Sequence, residues 1–121
     1  MTPTKRPPDA TRAARQQVTA ARERARMAIH EAAHSVAAVL LGGHVELARL
    51  DPDGRLGEGL TTVSEDSLTA DAHALVAHAG PYAEARFDAG RRPTVREIDR
   101  AYIRSGHGDA ALVAAAGGSI Q

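Results

Sequence analysis

Two histidines and a glutamate form the most informative pattern in the sequence. His30-Glu31-Ala32-Ala33-His34 is an H-E-x-x-H motif, and helical residues four apart project from the same face. The two imidazoles could therefore bind a single Zn²⁺. Glu31 follows His30 by about 100° around the helix, where its carboxylate could take a proton from a water beside the metal. The pattern predicts a zinc site with Glu31 as the general base.

A catalytic zinc usually has three protein ligands, so the motif needs one more donor downstream. Asp109 follows a Gly-x-Gly loop and opens a predicted helix, whereas Asp99 and Glu84 lie within predicted helices. Each has a plainer interpretation, because Asp109 could cap its helix, Asp99 could face solvent and Glu84 could pair with an arginine. The residues alone leave the third ligand open. His107, two positions before Asp109, is a candidate to stabilise a tetrahedral intermediate.

The motif lies inside the clearest helical pattern of the chain. Apolar residues spaced by three or four predict a helix from Asp9 to the glycines Gly42 and Gly43, either unbroken or divided near residues 22–26. Helical placement is the context that the H-E-x-x-H pattern requires.

A small sheet is predicted after this helix. Residues 44–50 favour a strand, 51–54 a turn and 56–63 a returning strand. Gly57 and Gly59 in the second strand indicate a close backbone approach or a bulge.

Helices are predicted for the rest of the chain. Thr69 could cap a helix that Gly80-Pro81 interrupts and that resumes over 82–89. Thr94 and Glu97 form a capping-box pattern for the next helix.

A loop then leads to a short last helix over residues 110–116. The predicted order is therefore one long helix, a small sheet and further helices.

Composition narrows the class of protein. The chain has 121 residues, no Cys and 2% aromatic residues, which excludes disulfides and thiolate metal sites and argues against an aromatic nucleic-acid platform. The longest apolar run, 36–43, is too short for a membrane span, and residues 1–17 contain no signal-peptide core. We therefore expect a cytoplasmic protein that spans no membrane.

Charge divides the chain into an arm and a core. Residues 1–29 carry seven basic residues against Asp9 and Glu23, although the whole chain has no net charge. We expect a disordered leader over 1–8 and one domain over 9–121. Within that domain, 9–26 form a basic helical arm and 27–116 a catalytic core. A solvated helical face explains the arm more simply than nucleic-acid binding does.

Four segments, taken in order, resemble a known family. They are M-A-I-H-E-A-A-H-S-V-A at 27–37, G-R-L-G at 54–57, H-A-G-P-Y-A-E-A-R-F at 78–87 and S-G-H-G-D-A-A-L at 105–112. Together they resemble the zinc peptidase domain of the FtsH-like membrane AAA+ proteases and their small stand-alone relatives. The resemblance spans about residues 25–116.

This resemblance implies a fold and a set of site residues. The fold would be α+β and mainly helical, a zincin-like metallopeptidase domain with an H-E-x-x-H helix and a small sheet. His30, His34 and Asp109 would be the zinc ligands and Glu31 the base, with Leu56 and Gly57 near the substrate. Asp99 suits the family's usual ligand spacing better than Asp109, so it remains an alternative.

The function implied is zinc-dependent hydrolysis of peptide bonds. The chain has no G-x-x-x-x-G-K-[ST] phosphate loop, and Lys5 is its only lysine, so it carries no ATPase of its own. We expect peptides or unfolded protein segments as substrates, with an extended peptide pairing along the strand at 56–63. A separate ATPase, another protein partner or self-association would be compatible with this function.

Two other functions fit the same residues. One is a non-catalytic, zinc-containing or degenerate peptidase-like binding module that engages a partner through its basic arm. The other is a metal-dependent amidase whose substrate is not a peptide, which fold analogy cannot separate from a peptidase.

Overall fold

The computed structural model describes residues 8–50, 59–105 and 107–116, and this part of the chain is mainly helical with one two-stranded sheet. In chain order the elements are α1 (Pro8–Leu40), β1 (Val45–Leu50), β2 (Gly59–Val63), a 3-10 turn (Glu65–Ser67), α2 (Ala70–Ala89), α3 (Val95–Ser105) and α4 (His107–Ala115).

Helix α1 is a single helix of 33 residues, with no break near residues 22–26. Between its first residue, Pro8, and Leu40 the sequence contains neither glycine nor proline. The helix ends at Leu40. Two residues later Gly42 has a φ of +83°, and the Gly43 N–H donates to the Ala38 carbonyl at 2.7 Å. This is the left-handed C-terminal cap that glycine favours. Apart from Pro8, the predicted leader lies outside the described residues.

The core lies between α1 and α2 and is built from small side chains. Most α1 residues before Arg26 are exposed, and the first buried one is Met27. From there the buried positions recur every three or four residues, on the side that faces the rest of the fold. The buried residues of α1 are Met27, His30, Glu31, His34 and Ala38, and those of α2 include Ala74, Val76, Ala77, Gly80, Pro81, Glu84 and Ala85. Small side chains allow the two helices to approach closely.

The prediction of a helix interruption at Gly80-Pro81 is wrong. Helix α2 runs unbroken from Ala70 to Ala89 with Pro81 inside it. A proline removes one helical hydrogen bond and crowds the preceding turn. The Pro81 ring is fully buried, and this packing offsets the local cost. The predicted cap is confirmed, since the Ala72 N–H donates to Thr69 Oγ1 at 3.2 Å.

The sheet is an antiparallel hairpin in which β2 pairs with β1. The register places Ala48 opposite Thr61 and Leu50 opposite Gly59. A bulge interrupts the pairing between Val45 and Leu47, so the irregularity lies in β1 and not in the glycine-bearing strand. The turn predicted at 51–54 and the first residues of the predicted second strand lie outside the described residues.

The capping box of α3 forms as predicted. The Glu97 N–H donates to Thr94 Oγ1 at 3.2 Å, and the Thr94 N–H donates to Glu97 Oε1 at 2.9 Å. Helix α4 begins at His107, three residues earlier than predicted, and packs on α2 and α3. This packing brings Asp109 back toward α1. None of the described helices is long and apolar enough to cross a membrane.

Candidate metal centre

The H-E-x-x-H side chains are buried and close together on α1. One ligand atom of each of His30, Glu31 and His34 lies within 4.8 Å of the others, and each residue is 7% exposed or less. The two imidazole rings meet edge to face, with 4.6 Å between centroids. The helix thus presents two histidine donors and one carboxylate to the same small volume.

Each imidazole is held through its Nδ1 atom by an acceptor on α2. His34 Nδ1 donates to the Val76 carbonyl at 2.7 Å, and His30 Nδ1 lies 3.0 Å from Glu84 Oε1. A carbonyl oxygen can only accept, so the His34 Nδ1 carries a proton, and Nε2 is the ring nitrogen that faces the centre. Outer hydrogen bonds of this kind orient histidines that bind metals.

Asp109 lies against the inner nitrogen of both histidines. Its Oδ2 is 3.0 Å from His30 Nε2, and its Oδ1 is 3.3 Å from His34 Nε2. Helix α4 supplies this carboxylate from a position 79 residues after His30. Two imidazole nitrogens and one carboxylate therefore converge on one point.

The other candidates for a third ligand lie elsewhere. Glu84 contacts the Nδ1 of His30, on the outer side of the ring. Asp99 is exposed on α3. Of the three acidic candidates, Asp109 is the one that the fold brings to both Nε2 atoms.

The electrostatics of the centre favour a positive charge there. Burial opposes a charged His30, but the hydrogen bonds and charges of Asp109 and Glu84 outweigh it and raise the pKa of His30 to about 9. Burial likewise opposes a charged Asp109, but its bonds to His30 and His34 lower its pKa to about 2. A divalent cation at the Nε2 atoms would supply the positive charge that these carboxylates stabilise.

The donor set fits zinc. Three protein ligands of the histidine and carboxylate types are typical of catalytic zinc sites, in which a fourth position stays open for water or substrate. The outer partners of both histidines are also in place. His30, His34 and Asp109 are therefore the residues that would hold the metal.

Gly80 of α2 makes room for the two imidazoles. A Cβ atom at this position would lie 2.5 Å from His34 Nε2 and 2.7 Å from His30 Nε2. Both distances are shorter than side chains tolerate, so a residue without a side chain is needed where α2 passes the centre.

Glu84 connects the centre to a larger charged network. Its side chain is completely buried, and it accepts hydrogen bonds from Ser105 Oγ at 2.6 Å and from Arg104 Nε at 2.9 Å. Burial raises the pKa of Glu84, but its bonds to His30, Ser105 and Arg104 hold it below the ordinary value. Arg104 also reaches Asp88 at 3.0 Å, and Asp88 accepts from Arg26 at 2.9 Å. The network joins α1, α2 and the end of α3 around His30.

Glu31 turns toward the sheet, where Thr61 Oγ1 donates a hydrogen bond to its Oε2. A cleft of about 470 Å³ opens beside Glu31 and the two histidines. All five residues of β2 line it, and Val76, Ala77 and Leu112 form an apolar part of its wall. The centre is thus reachable from a groove that runs along a strand.

Several sequence predictions fall on residues that are not described. Leu56 and Gly57, expected near the substrate, lie outside the described residues, as does the side chain of His107. Among the other histidines, His73 lines the cleft, and His78 stacks on Tyr102 with 5.7 Å between ring centroids.

Sequence reasoning missed the roles of Gly80 and Thr61. A glycine directly before a proline inside a helical pattern is the available signal for Gly80, but the same pair also predicts a helix break. No signal in the sequence marked Thr61, because its role depends on the strand register.

Comparison of the chain with protein-family models, curated proteins and solved structures finds no match.

Proposed function

We propose that this chain is a zinc metallopeptidase with a zincin-like domain, similar to the peptidase domain of the FtsH-like proteases. Its substrates are peptides or unfolded protein segments, and it works without an ATPase of its own. Its zinc ligands are His30, His34 and Asp109, and its general base is Glu31.

One observation carries this proposal. The Nε2 atoms of His30 and His34 both face the carboxylate of Asp109, while each Nδ1 is held by a separate acceptor. A purely structural cluster has no need of two histidines oriented in the same way around one point. A metal centre requires this arrangement, because its ligands must be held in a fixed geometry.

In the proposed reaction the metal and the chain's own residues have different tasks. Zinc, when bound, supplies a Lewis acid that lowers the pKa of water and polarises a carbonyl group. Glu31 accepts the proton of the attacking water and delivers it to the amine nitrogen as the peptide bond breaks. The outer bonds of His30 and His34 keep both rings fixed during this proton transfer.

The cleft suits an extended peptide. Successive side chains of a strand point to opposite faces, yet all five residues of β2 line the cleft. The backbone edge of β2 therefore faces the groove, and β1 pairs with the other edge. A peptide that adds to this edge would bind through its main chain, with sequence preference set by the apolar wall.

The first experiment measures zinc stoichiometry by native mass spectrometry on untagged protein. Wild type and Asp99→Ala should each hold one zinc, and Asp109→Ala should lose most of it. Asp99→Ala is a matched control, because it removes an exposed carboxylate of the same type. Zinc loss in Asp99→Ala, or full retention in Asp109→Ala, would overturn the ligand assignment.

The second experiment measures cleavage of unfolded casein or a quenched peptide library by the zinc-loaded chain. Glu31→Gln should retain zinc and lose nearly all turnover. Zinc binding with equal cleavage, or none, in wild type and Glu31→Gln would favour the binding module over the peptidase.

A further inference from the structure

We propose that Thr61 and Gly59, on one face of β2, position the carboxylate of Glu31 for proton transfer. Neither residue is one of the proposed zinc ligands. This inference rests on the proposed function and deepens it, because it assigns the strand beside the cleft a role in holding the base.

The first contact is made by Thr61 Oγ1, which lies within hydrogen-bond distance of Glu31 Oε2 and, at 3.2 Å, of the Glu31 main-chain carbonyl, with the shorter contact to the carboxylate. An ionised carboxylate accepts hydrogen bonds and donates none, so the hydroxyl is the donor. Bonds of this charge-assisted type are stronger than those between neutral groups. This bond holds Oε2 toward Thr61 and so fixes the orientation of the whole carboxylate.

The second contact is steric. A Cβ atom at Gly59 would lie 2.7 Å from Glu31 Cγ and 3.1 Å from Glu31 Oε1. Glu31 is 7% exposed and already packed against the strand, so a methyl group at position 59 would have to move its side chain. Gly59 therefore provides the space in which the base sits, and any larger residue would displace it.

Both contacts come from the same face of β2. Residues two apart in a strand project to the same face, so Gly59 and Thr61 meet Glu31 together. Pairing with Leu50 and Ala48 fixes both positions. The same strand lines the cleft, so the element that would bind the peptide also holds the base that acts on it.

The test compares substitutions that separate the hydroxyl from the rest of the side chain. Thr61→Val keeps the shape and removes the hydroxyl, whereas Thr61→Ser keeps the hydroxyl and removes the methyl. Thr61→Ala removes both and differs from Thr61→Ser only in the hydroxyl. Each protein is loaded with zinc, and kcat and KM are measured separately on one peptide.

We expect kcat to fall on the order of 10- to 100-fold in Thr61→Val and Thr61→Ala, because a misplaced catalytic group costs this much. Thr61→Ser should recover most of the rate. KM and zinc stoichiometry should stay near the wild-type values in all three. The inference would be overturned if kcat fell in Thr61→Ser, which lacks the methyl group, and stayed high in Thr61→Val, which keeps it. A change confined to KM would overturn it as well.

A crystal structure of zinc-loaded Thr61→Val supplies a readout that does not depend on turnover. The Glu31 carboxylate should leave its wild-type position, and Gly59→Ala should displace it as well. An unmoved Glu31 in both variants would refute the positioning role. If Glu31 moves but the wild type cleaves no substrate, the peptidase proposal fails and the positioning role stands.

Discussion

At the scale of single residues, the proposed zinc centre depends on more groups than its three proposed ligands. Glu84 holds the Nδ1 of His30 and is in turn held by Ser105 and Arg104. A carboxylate behind a histidine ligand fixes the orientation of the ring and raises its basicity. The zinc affinity of the proposed site would therefore depend on residues beyond its three proposed ligands.

Glu84→Gln tests this contribution. The substitution keeps the size and an acceptor oxygen but removes the charge, so we expect zinc affinity to fall roughly 10-fold. Competition with a chromophoric chelator measures this affinity. Asp88→Asn is the matched control, since Asp88 shares Arg104 with Glu84 but lies outside the first partners of His30. Equal effects of the two substitutions would contradict the assignment.

Gly80→Ala tests the space beside the imidazoles. In an ordinary helix interior this change would stabilise the protein by about 1 kcal/mol. Here the new methyl group would meet both Nε2 atoms, so we expect loss of zinc and a lower melting temperature.

Gly108→Ala in α4 provides the comparison for Gly80→Ala. A Cβ atom at Gly108 would meet nothing within 4 Å. This variant should keep its zinc and melt no lower than the wild type. Zinc retention in Gly80→Ala would show that the two helices can separate at little cost.

At the scale of elements, local sequence signals determine where the helices begin and end. Thr69 and Thr94 cap α2 and α3, and Gly42 and Gly90 end α1 and α2 in the left-handed conformation. Each signal acts within one turn of the helix, so it can be recognised in the sequence.

Glu97 gives the α3 cap a dependence on pH. Its bonds to Arg91 and to the Thr94 backbone lower the pKa of Glu97 from 4.5 to about 2. The folded chain thus binds this proton more weakly than the unfolded chain. The stabilisation is fully present above about pH 4.5 and is lost as the pH falls toward 2.

We therefore expect Glu97→Gln to melt below the wild type at pH 7, with the gap narrowing steadily below pH 4.5. Calorimetric scans of both proteins between pH 7 and pH 3 measure this gap. A constant gap across the range would mean that the charge of Glu97 does not support the cap.

Long-range contacts explain what the sequence could not predict. The H-E-x-x-H spacing identifies His30, Glu31 and His34 without a structure, because the helix alone brings them together. The choice between Asp109 and Asp99 depends on how α3 and α4 pack on α2, which no local pattern encodes. Pro81 illustrates the same limit, since a local helix breaker stays helical when its ring is buried in the core.

At the scale of the whole molecule, α4 is the element that Asp109 connects to the centre. None of its residues from 108 to 115 is buried, and Asp109 joins it to both histidines of α1. A metal bound at this point would tie the last helix to the first.

Removal of zinc should therefore lower the stability of the whole chain and loosen α4 most. A ligand that binds only the folded state raises the free energy of unfolding by about 4 kcal/mol when its free concentration exceeds its Kd by about 1,000-fold. Melting curves with and without EDTA measure the total effect, and hydrogen exchange measures its location. If zinc removal reduced the protection of amide hydrogens from exchange equally in α2 and α4, the metal would not stabilise α4 in particular.

The unbroken length of α1 has a mechanical consequence. About 22 residues precede His30 within the helix, which corresponds to a length of about 33 Å at the usual rise per residue. This part of the helix contains no glycine and no internal proline that could act as a hinge. The ion pair between Arg26 and Asp88 links it to α2 just before the H-E-x-x-H motif. A load applied at the Pro8 end of the helix would therefore act on the same rigid element that carries His30 and His34.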